Sequence, residues 1–216
     1  MRKRFISVCT VLMLPLPAAV AYAEDIGVNL KAGTLGVGVE ISRSFGEKFS
    51  LGLGFNSYDH KTTDSASDID YDFKFDLQSV ALLANYHPFG GTFRFTGGVL
   101  YNKNELDLTG KPSGSSYVIN GVTYTAAQVG TLNGKLTFNS TAPYLGIGWG
   151  NRPGAKVGVS ADIGVLYQGS PKLALTATGA AAGLTSDLEQ ERRSAEADLS
   201  DFKWYPALSF GVYFRF

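Results

Sequence analysis

The sequence predicts an all-β fold: an eight-stranded antiparallel transmembrane β-barrel with short turns at one end, long loops at the other and one short helix in the last loop. Three observations carry this expectation. Large apolar side chains recur at every second position in segment after segment. Short and long connections alternate along the chain. Mean hydropathy is +0.02 although 44% of the residues are hydrophobic, as expected where each lipid-facing residue is followed by a polar one. No stretch approaches the roughly 20 unbroken apolar residues of a membrane helix.

The first segment reads as an export signal rather than as part of the fold. Arg2, Lys3 and Arg4 form a basic start, Phe5 to Pro17 is an apolar run too short to span a bilayer, and Ala21-Tyr22-Ala23 is a small-residue cleavage site. Residues 1–23 are therefore expected to be cleaved, leaving 24–216 as the barrel. The single cysteine, Cys9, lies within the signal. Disulfides, thiolate metal sites and cysteine nucleophiles are thereby excluded from the mature chain. Without the three basic residues of the signal, 16 basic residues face 19 acidic ones, a net charge of −3. That balance is a poor one for nucleic acid.

The strands follow in order. Ile26, Val28, Leu30 and Ala32 alternate with Gly27, Asn29 and Lys31. Leu35 to Ile41 and Phe49 to Phe55 repeat the pattern with inward Gly, Glu40 and Ser. Two longer segments change phase. In 71–87 the apolar set moves from Tyr71, Phe73, Phe75 and Leu77 to Val80, Leu82 and Ala84. In 132–149 it moves from Leu132, Leu136 and Phe138 to Leu145, Ile147 and Trp149. A β-bulge near Gln78-Ser79 and another near Ala142-Pro143 would restore the facing. Phe93 to Tyr101 and Val157 to Tyr167 alternate without interruption. In the last strand Trp204, Pro206, Leu208, Phe210, Val212, Phe214 and Phe216 share one face. Phe210, Val212, Phe214 and the terminal Phe216 form the expected signal for the bacterial barrel-assembly machinery.

Three connections are tight, at 45–48, 87–91 and 151–155, and three are long, at 61–70, 107–131 and 170–201. Such alternation is that of outer-membrane barrels, with periplasmic turns and external loops, and it places the protein in the outer membrane of a Gram-negative bacterium. Seven strands run from Leu35 onward; Ile26 to Ala32, joined through 33–36, supplies the eighth. Within the loops, Asn120-Gly121 between two β-branched runs predicts a small hairpin. Thr185 to Ser200 predicts a surface helix over the barrel mouth. Ser186 and Glu189 match a capping box, and Leu184, Leu188, Ala195 and Leu199 lie on one stripe.

Several segments resemble the CarO-type outer-membrane proteins. They are Tyr86-His87-Pro88-Phe89-Gly90, which is similar to a turn of the Arg-Pro-Trp-Gly kind, Ala142 to Gly148, Gly164 to Pro171 and Phe202 to Pro206. Ile119 to Tyr124 and, to a lesser degree, Val37-Gly38-Val39 have counterparts too. The resemblance covers most of the mature chain and implies an eight-stranded barrel associated with uptake of ornithine and other small basic solutes. It transfers no substrate-binding residue.

No catalytic constellation is legible. His60 and His87 are the two histidines. Neither has a partner at metal-ligand spacing, and both read as polar loop-edge residues. His60 near Asp64, Asp68 and Asp70 is the nearest approach to an enzymatic set. No metal and no cofactor is expected. The informative charges are those whose phase points them into the lumen: Lys31, Glu40, Arg94, Lys156, Asp162, Lys203 and Arg215. An eight-stranded barrel has an interior just wide enough to be filled by side chains, so these charges are expected to pair, either as a rigid plug or as a narrow gate. Two functions follow. One is a narrow channel for small solutes, basic amino acids by resemblance. The other is a non-conducting barrel with a structural, adhesive or ligand-docking role in its external loops. The expected partners are outer-membrane lipid and lipopolysaccharide, the assembly machinery during biogenesis and a small solute, and the barrel is expected as a monomer.

Overall fold

The computed structural model describes residues 26–66, 69–112, 116–152 and 155–216; the predicted export signal lies outside them. Thirteen strands and two helices follow in chain order: β1 (Ile26–Gly33), β2 (Gly36–Phe45), β3 (Phe49–Ala66), β4 (Ile69–Tyr86), β5 (Phe93–Asn102), β6 (Glu105–Pro112), β7 (Ser116–Ile119), β8 (Val122–Thr125), α1 (Ala126–Val129), β9 (Leu132–Thr137), β10 (Thr141–Trp149), β11 (Val157–Tyr167), β12 (Lys172–Ala177), α2 (Leu184–Asp198) and β13 (Trp204–Arg215). Eight of them, in the order β1, β2, β3, β4, β5, β10, β11, β13, form a closed antiparallel ring, with β1 paired to both β2 and β13. Closure leaves no unpaired strand edge inside a membrane, where each free amide would cost several kcal/mol.

Period two decides which side chains face lipid. Leu30, Ile41, Leu53, Leu82, Val159 and Phe210 stand exposed on the outer wall, while Asn29, Ser42, Ser50, Ser79, Thr96 and Ser160 are buried inside. So large an apolar surface is incompatible with a soluble monomer. Two aromatic belts bound it. Phe49 stacks on Tyr86 at 4.9 Å and Phe93 meets Trp149 at 5.7 Å at the short-turn end; Tyr167 meets Trp204 at 4.8 Å at the other. From Trp204 to Phe214 the strand advances by ten residues, roughly 25 Å of membrane at ~3.3 Å per residue and ~40° tilt.

β3 and β4 are 18 residues each, far beyond the ~9–11 a tilted crossing needs. The expected loop at 61–70 is therefore the tip of a long hairpin that leaves the membrane. Outside, β4 changes neighbour. It pairs with β5 as far as Ser79↔Asn102 and with β6 from Asp76↔Glu105. β9 then pairs with β6 and β12 with β9, extending an external sheet.

The two phase breaks have a different cause from the expected bulges. The β3–β4 register runs without interruption from Phe49↔Tyr86 to Ala66↔Ile69, so odd positions of β4 face inward throughout. What changes is the solvent. Within the membrane the outer face must be apolar; above it water makes the outer face polar and the inner face a core. The second break is likewise not a bulge. β9 and β10 are separate strands, even positions face inward in both, and Pro143 stands just beyond the first β10–β11 pair, Tyr144↔Leu166.

On the inner side of the external sheet, Leu132, Leu175 and Ala177 pack against Tyr117, Ile119, Tyr124, Val129, Leu184 and Leu188. The hairpin β7–β8 turns at Asn120 and Gly121, both with positive φ. The predicted helix is α2, but Ser186 does not cap it. The N-cap is Gly183 in the left-handed region, and the Ser186 hydroxyl donates to the Gly183 carbonyl. A capping box forms instead at Thr125 and Gln128 of α1. α2 is tied to the hairpin by Tyr124 Oη, which donates to Asp187 at 2.5 Å, and to the free edge of β12 by the Leu173 amide, which donates to Glu196 at 2.8 Å.

Candidate functional site: the barrel lumen

Arg94, Gly148 and Asp162 lie side by side on β5, β10 and β11, since Gly148 is the register partner of both. The missing side chain lets the guanidinium cross the middle strand to the carboxylate. A Cβ on Gly148 would stand 2.7 Å from Arg94 Cζ. Arg94 Nη2 pairs with Asp162 Oδ1, and Nη1 donates to the Gly150 carbonyl at 2.8 Å. Asp162 Oδ2 accepts from Ser209 Oγ at 3.3 Å and lies 3.4 Å from Lys31 Nζ. Lys31 Nζ in turn reaches Glu40 Oε2 at 2.5 Å. Glu40 rests over Gly52, where a Cβ would meet its carboxylate at 2.9 Å. Two cations and two anions thus form one neutral chain across the barrel. All four are nearly enclosed, with side-chain exposures of 2% to 14%. Charges so confined are tolerable only when paired and hydrogen-bonded.

Toward the external end the wall becomes apolar. Ala81, Leu83, Leu100, Ala142 and Leu166 form a buried cluster, with Leu35, Tyr144 and Tyr205 against it. Leu100 and Leu166 are among the most enclosed side chains of the protein. A cavity of about 60 Å³ remains between this layer and the charges, lined among others by Lys31, Glu40, Asp162, Leu83, Leu100 and Tyr144. Neutral polar pairs fill the rest of the lumen beside and below the charges, and Asn85 and Thr96 also line the cavity. Asn29 donates to Ser160 at 3.0 Å, Asn85 to Ser50 at 3.3 Å and Thr96 to Asn85 at 2.7 Å.

Of the seven charges expected in the lumen, Lys31, Glu40, Arg94 and Asp162 come together. Arg215 is buried apart from them at the periplasmic end, where it donates to Ser44 and, at 3.1 Å, to Asn151. Lys203 precedes β13 at the external rim, half-buried. Lys156 has the inward parity but stands exposed one residue before β11, outside the enclosed space. Phe210, Phe214 and Val212 are exposed on the lipid face of β13, and Phe216 is exposed beyond its end. His60 is exposed, against Tyr58. His87 is not a loop-edge residue. It continues the inward phase of Asn85 past the end of β4 and is fully buried at the floor of the barrel, where neither ring nitrogen has a hydrogen-bond partner among the described residues. The alternating glycines marked inward crowding in the sequence. Which of them lies under which charge depends on the register between strands far apart in the chain.

No protein-family model matches the chain, and no curated protein matches it significantly. Solved structures do. CarO of Acinetobacter baumannii is 26% identical with a TM-score of 0.60, covering 89% of this chain and 98% of its own. CarO2 of the same species is 26% identical with a TM-score of 0.62, covering 91% and 100%. This is a CarO-like eight-stranded barrel. The CarO likeness, the closed ring and its apolar girdle make the chain an outer-membrane β-barrel protein. It spans nearly the whole of both CarO structures, so the external sheet falls largely within the shared fold.

Proposed function

We propose that this CarO-like protein is a narrow outer-membrane channel for small polar solutes, closed in the conformation described. The observation that carries the reading is the cavity between the four-charge network and the apolar layer. It is a small chamber with Lys31, Glu40 and Asp162 on one side and a largely apolar wall elsewhere, large enough for a few water molecules. Below it, polar side chains continue toward the periplasm; above it, one apolar layer bars the way. Such a layer gates by excluding water until its side chains part.

Basic amino acids, which the CarO-type resemblance implies as solutes, fit one feature of the chamber. Lys31 is a primary ammonium held by two carboxylates, Glu40 and Asp162. An entering ammonium group would exchange with it on the same oxygens. Single-channel recording of refolded protein in planar bilayers tests the reading. Small, brief openings are expected, lengthened in Leu100→Ser. Silence from both proteins overturns it and favours the second reading, a non-conducting barrel acting through its external layer. That reading is supported by the close packing of Leu100, Leu166 and Arg94 and by the separate apolar core of the external sheet.

Both readings carry export by the signal at 1–23 and assembly through Phe210, Val212, Phe214 and Phe216. Deleting Phe216 is expected to lower outer-membrane yield; wild-type levels would remove the assembly role.

A further inference from the structure

Where β4 exchanges β5 for β6, the outer wall carries a crevice that the barrel's closure does not require. Residues 103 and 104 step out of the ladder between the pairs Ser79↔Asn102 and Asp76↔Glu105. The step is a built structure and not a frayed end. The Lys103 amide donates to Gln78 O at 2.8 Å, the Gln78 amide to Asn104 Oδ1 at 3.1 Å, and the Asn104 amide to Asn102 Oδ1 at 3.1 Å. Below the step, on the membrane side, lies a groove of about 320 Å³ between Leu53, Val80, Leu82, Val99 and Tyr101. A second hollow of about 140 Å³ shares Val80 and Tyr101 with it and continues it upward to Gln78 and Lys103.

Charge and depth say what fits. Tyr101 belongs to the level of the external aromatic belt, and Lys103, two residues further out, stands at headgroup height. Its ammonium lies 5.8 Å from the Tyr101 ring centroid and has no carboxylate partner among the described residues. The acidic neighbours are already engaged, Asp76 by Lys74 at 3.2 Å and Glu105 by Lys135 at 2.8 Å. An unneutralised cation thus caps an apolar groove that opens to the acyl region.

We propose that this seam is a binding site for one anionic outer-leaflet lipid, an acyl chain lying along Val80, Leu82 and Val99 and the phosphate on Lys103. The preformed groove lowers the ordering cost of the chain, and the lysine supplies the selectivity for net negative headgroups.

Native mass spectrometry of the intact barrel in neutral detergent, titrated with phosphatidylglycerol or phosphatidylcholine, tests the site. The wild type is expected to retain one phosphatidylglycerol in about fivefold preference to phosphatidylcholine, the factor corresponding to one lysine at a membrane surface. Lys103→Ala should erase the preference while leaving phosphatidylcholine retention unchanged, and Lys103→Arg should keep it. Val80→Trp, which fills the groove from the lipid side, should weaken retention of both lipids. Heat-dependent mobility on gels confirms that each variant is folded. An undiminished preference in Lys103→Ala, or wild-type retention of both lipids in Val80→Trp, overturns the proposal. A loss equally large in Lys203→Ala would mean diffuse surface charge and overturns it as well.

Discussion

Between Ser79 and Tyr86, β4 turns Val80, Leu82 and Ala84 outward and keeps Ser79, Ala81 and Asn85 inside. Between Asp72 and Leu77 the same strand turns Asp72, Lys74 and Asp76 outward and Phe73, Phe75 and Leu77 inward. The geometry is continuous; the solvent is not. In the membrane the polar groups retreat to the lumen and must satisfy one another there. In water the apolar groups retreat, and the external sheet builds an ordinary core under α2. Each region has its own way to fail, and the variants below separate them.

The largest effect belongs to the lumen. Arg94→Gln leaves Asp162 with Lys31, at 3.4 Å, as its one cationic partner among the described residues in a space that water barely enters, and the loss is expected at about 3–5 kcal/mol. Arg94→Gln with Asp162→Asn should cost less than the single change, because no charge is stranded. Denaturant midpoints in lipid vesicles measure both, and strict additivity would mean that the pair is solvated. The outer wall comes next. Ile163→Arg places a cation on the lipid face and should cost about 2–4 kcal/mol near the midplane. Thr109→Arg, on the outer face of β6 above the membrane, should change stability by less than about 0.5 kcal/mol. Equal costs at the two sites would dissolve the distinction between the halves.

A smaller effect is expected from the external core. Leu188→Ala removes a buried side chain from the cluster beneath α2 and should cost the external layer about 2–3 kcal/mol. The barrel should keep its folding midpoint, since its ring closes without β7, β8 or α2. A matching drop in the barrel's midpoint would show that the layer and the ring fold as one unit.

The eight-stranded ring, its phase, the hairpin at Asn120-Gly121 and the helix near 185–200 were legible because each rests on local periodicity or turn chemistry. The changes of phase near Gln78 and Ala142 were visible too, but a single chain does not say whether facing or solvent has changed. For β4 the unbroken register with β3 settles that. The lumen was legible in part. Parity assigned Lys31, Glu40, Arg94 and Asp162 inward, yet parity says nothing of height, and so Lys156 and Lys203 at strand ends read the same as residues at mid-depth. His87 was read as a turn residue because Pro88 follows it, although the inward phase runs one residue past the strand.

Acid should separate the regions with the gentlest perturbation. The carboxylates of α2 lie outside the membrane, and their partners hold them ionised; Asp187 and Glu196 tie the helix to its neighbours, while Glu189 pairs within it. The Tyr124 hydroxyl and the Asn120 amide group lower Asp187 below its ordinary 3.8. Arg192 and Arg193 hold Glu189 down to about 2, against an ordinary 4.5. The Leu173 amide, with Arg192, lowers Glu196. A carboxylate whose folded value is depressed contributes stability that is fully present above the unfolded value and is lost as pH falls through the folded one. For Glu189 the window runs from about pH 4.5 down to about 2, and Asp187 and Glu196 lose their contributions as pH falls below their own ordinary values. Tyr124 does not oppose the trend, because its own value is raised by Asp187 and it remains protonated throughout. All three carboxylates are solvent-screened, so the loss should be modest and should shrink with added salt. Amide exchange corrected for intrinsic rates is therefore expected to show α2 and β12 losing protection between pH 4.5 and 2.5, while β1, β2 and β13 keep theirs. If the ring strands loosen first, or if α2 is as protected at pH 2.5 as at pH 6, helix docking does not depend on these carboxylates and packing of Leu184 and Leu188 alone must hold it.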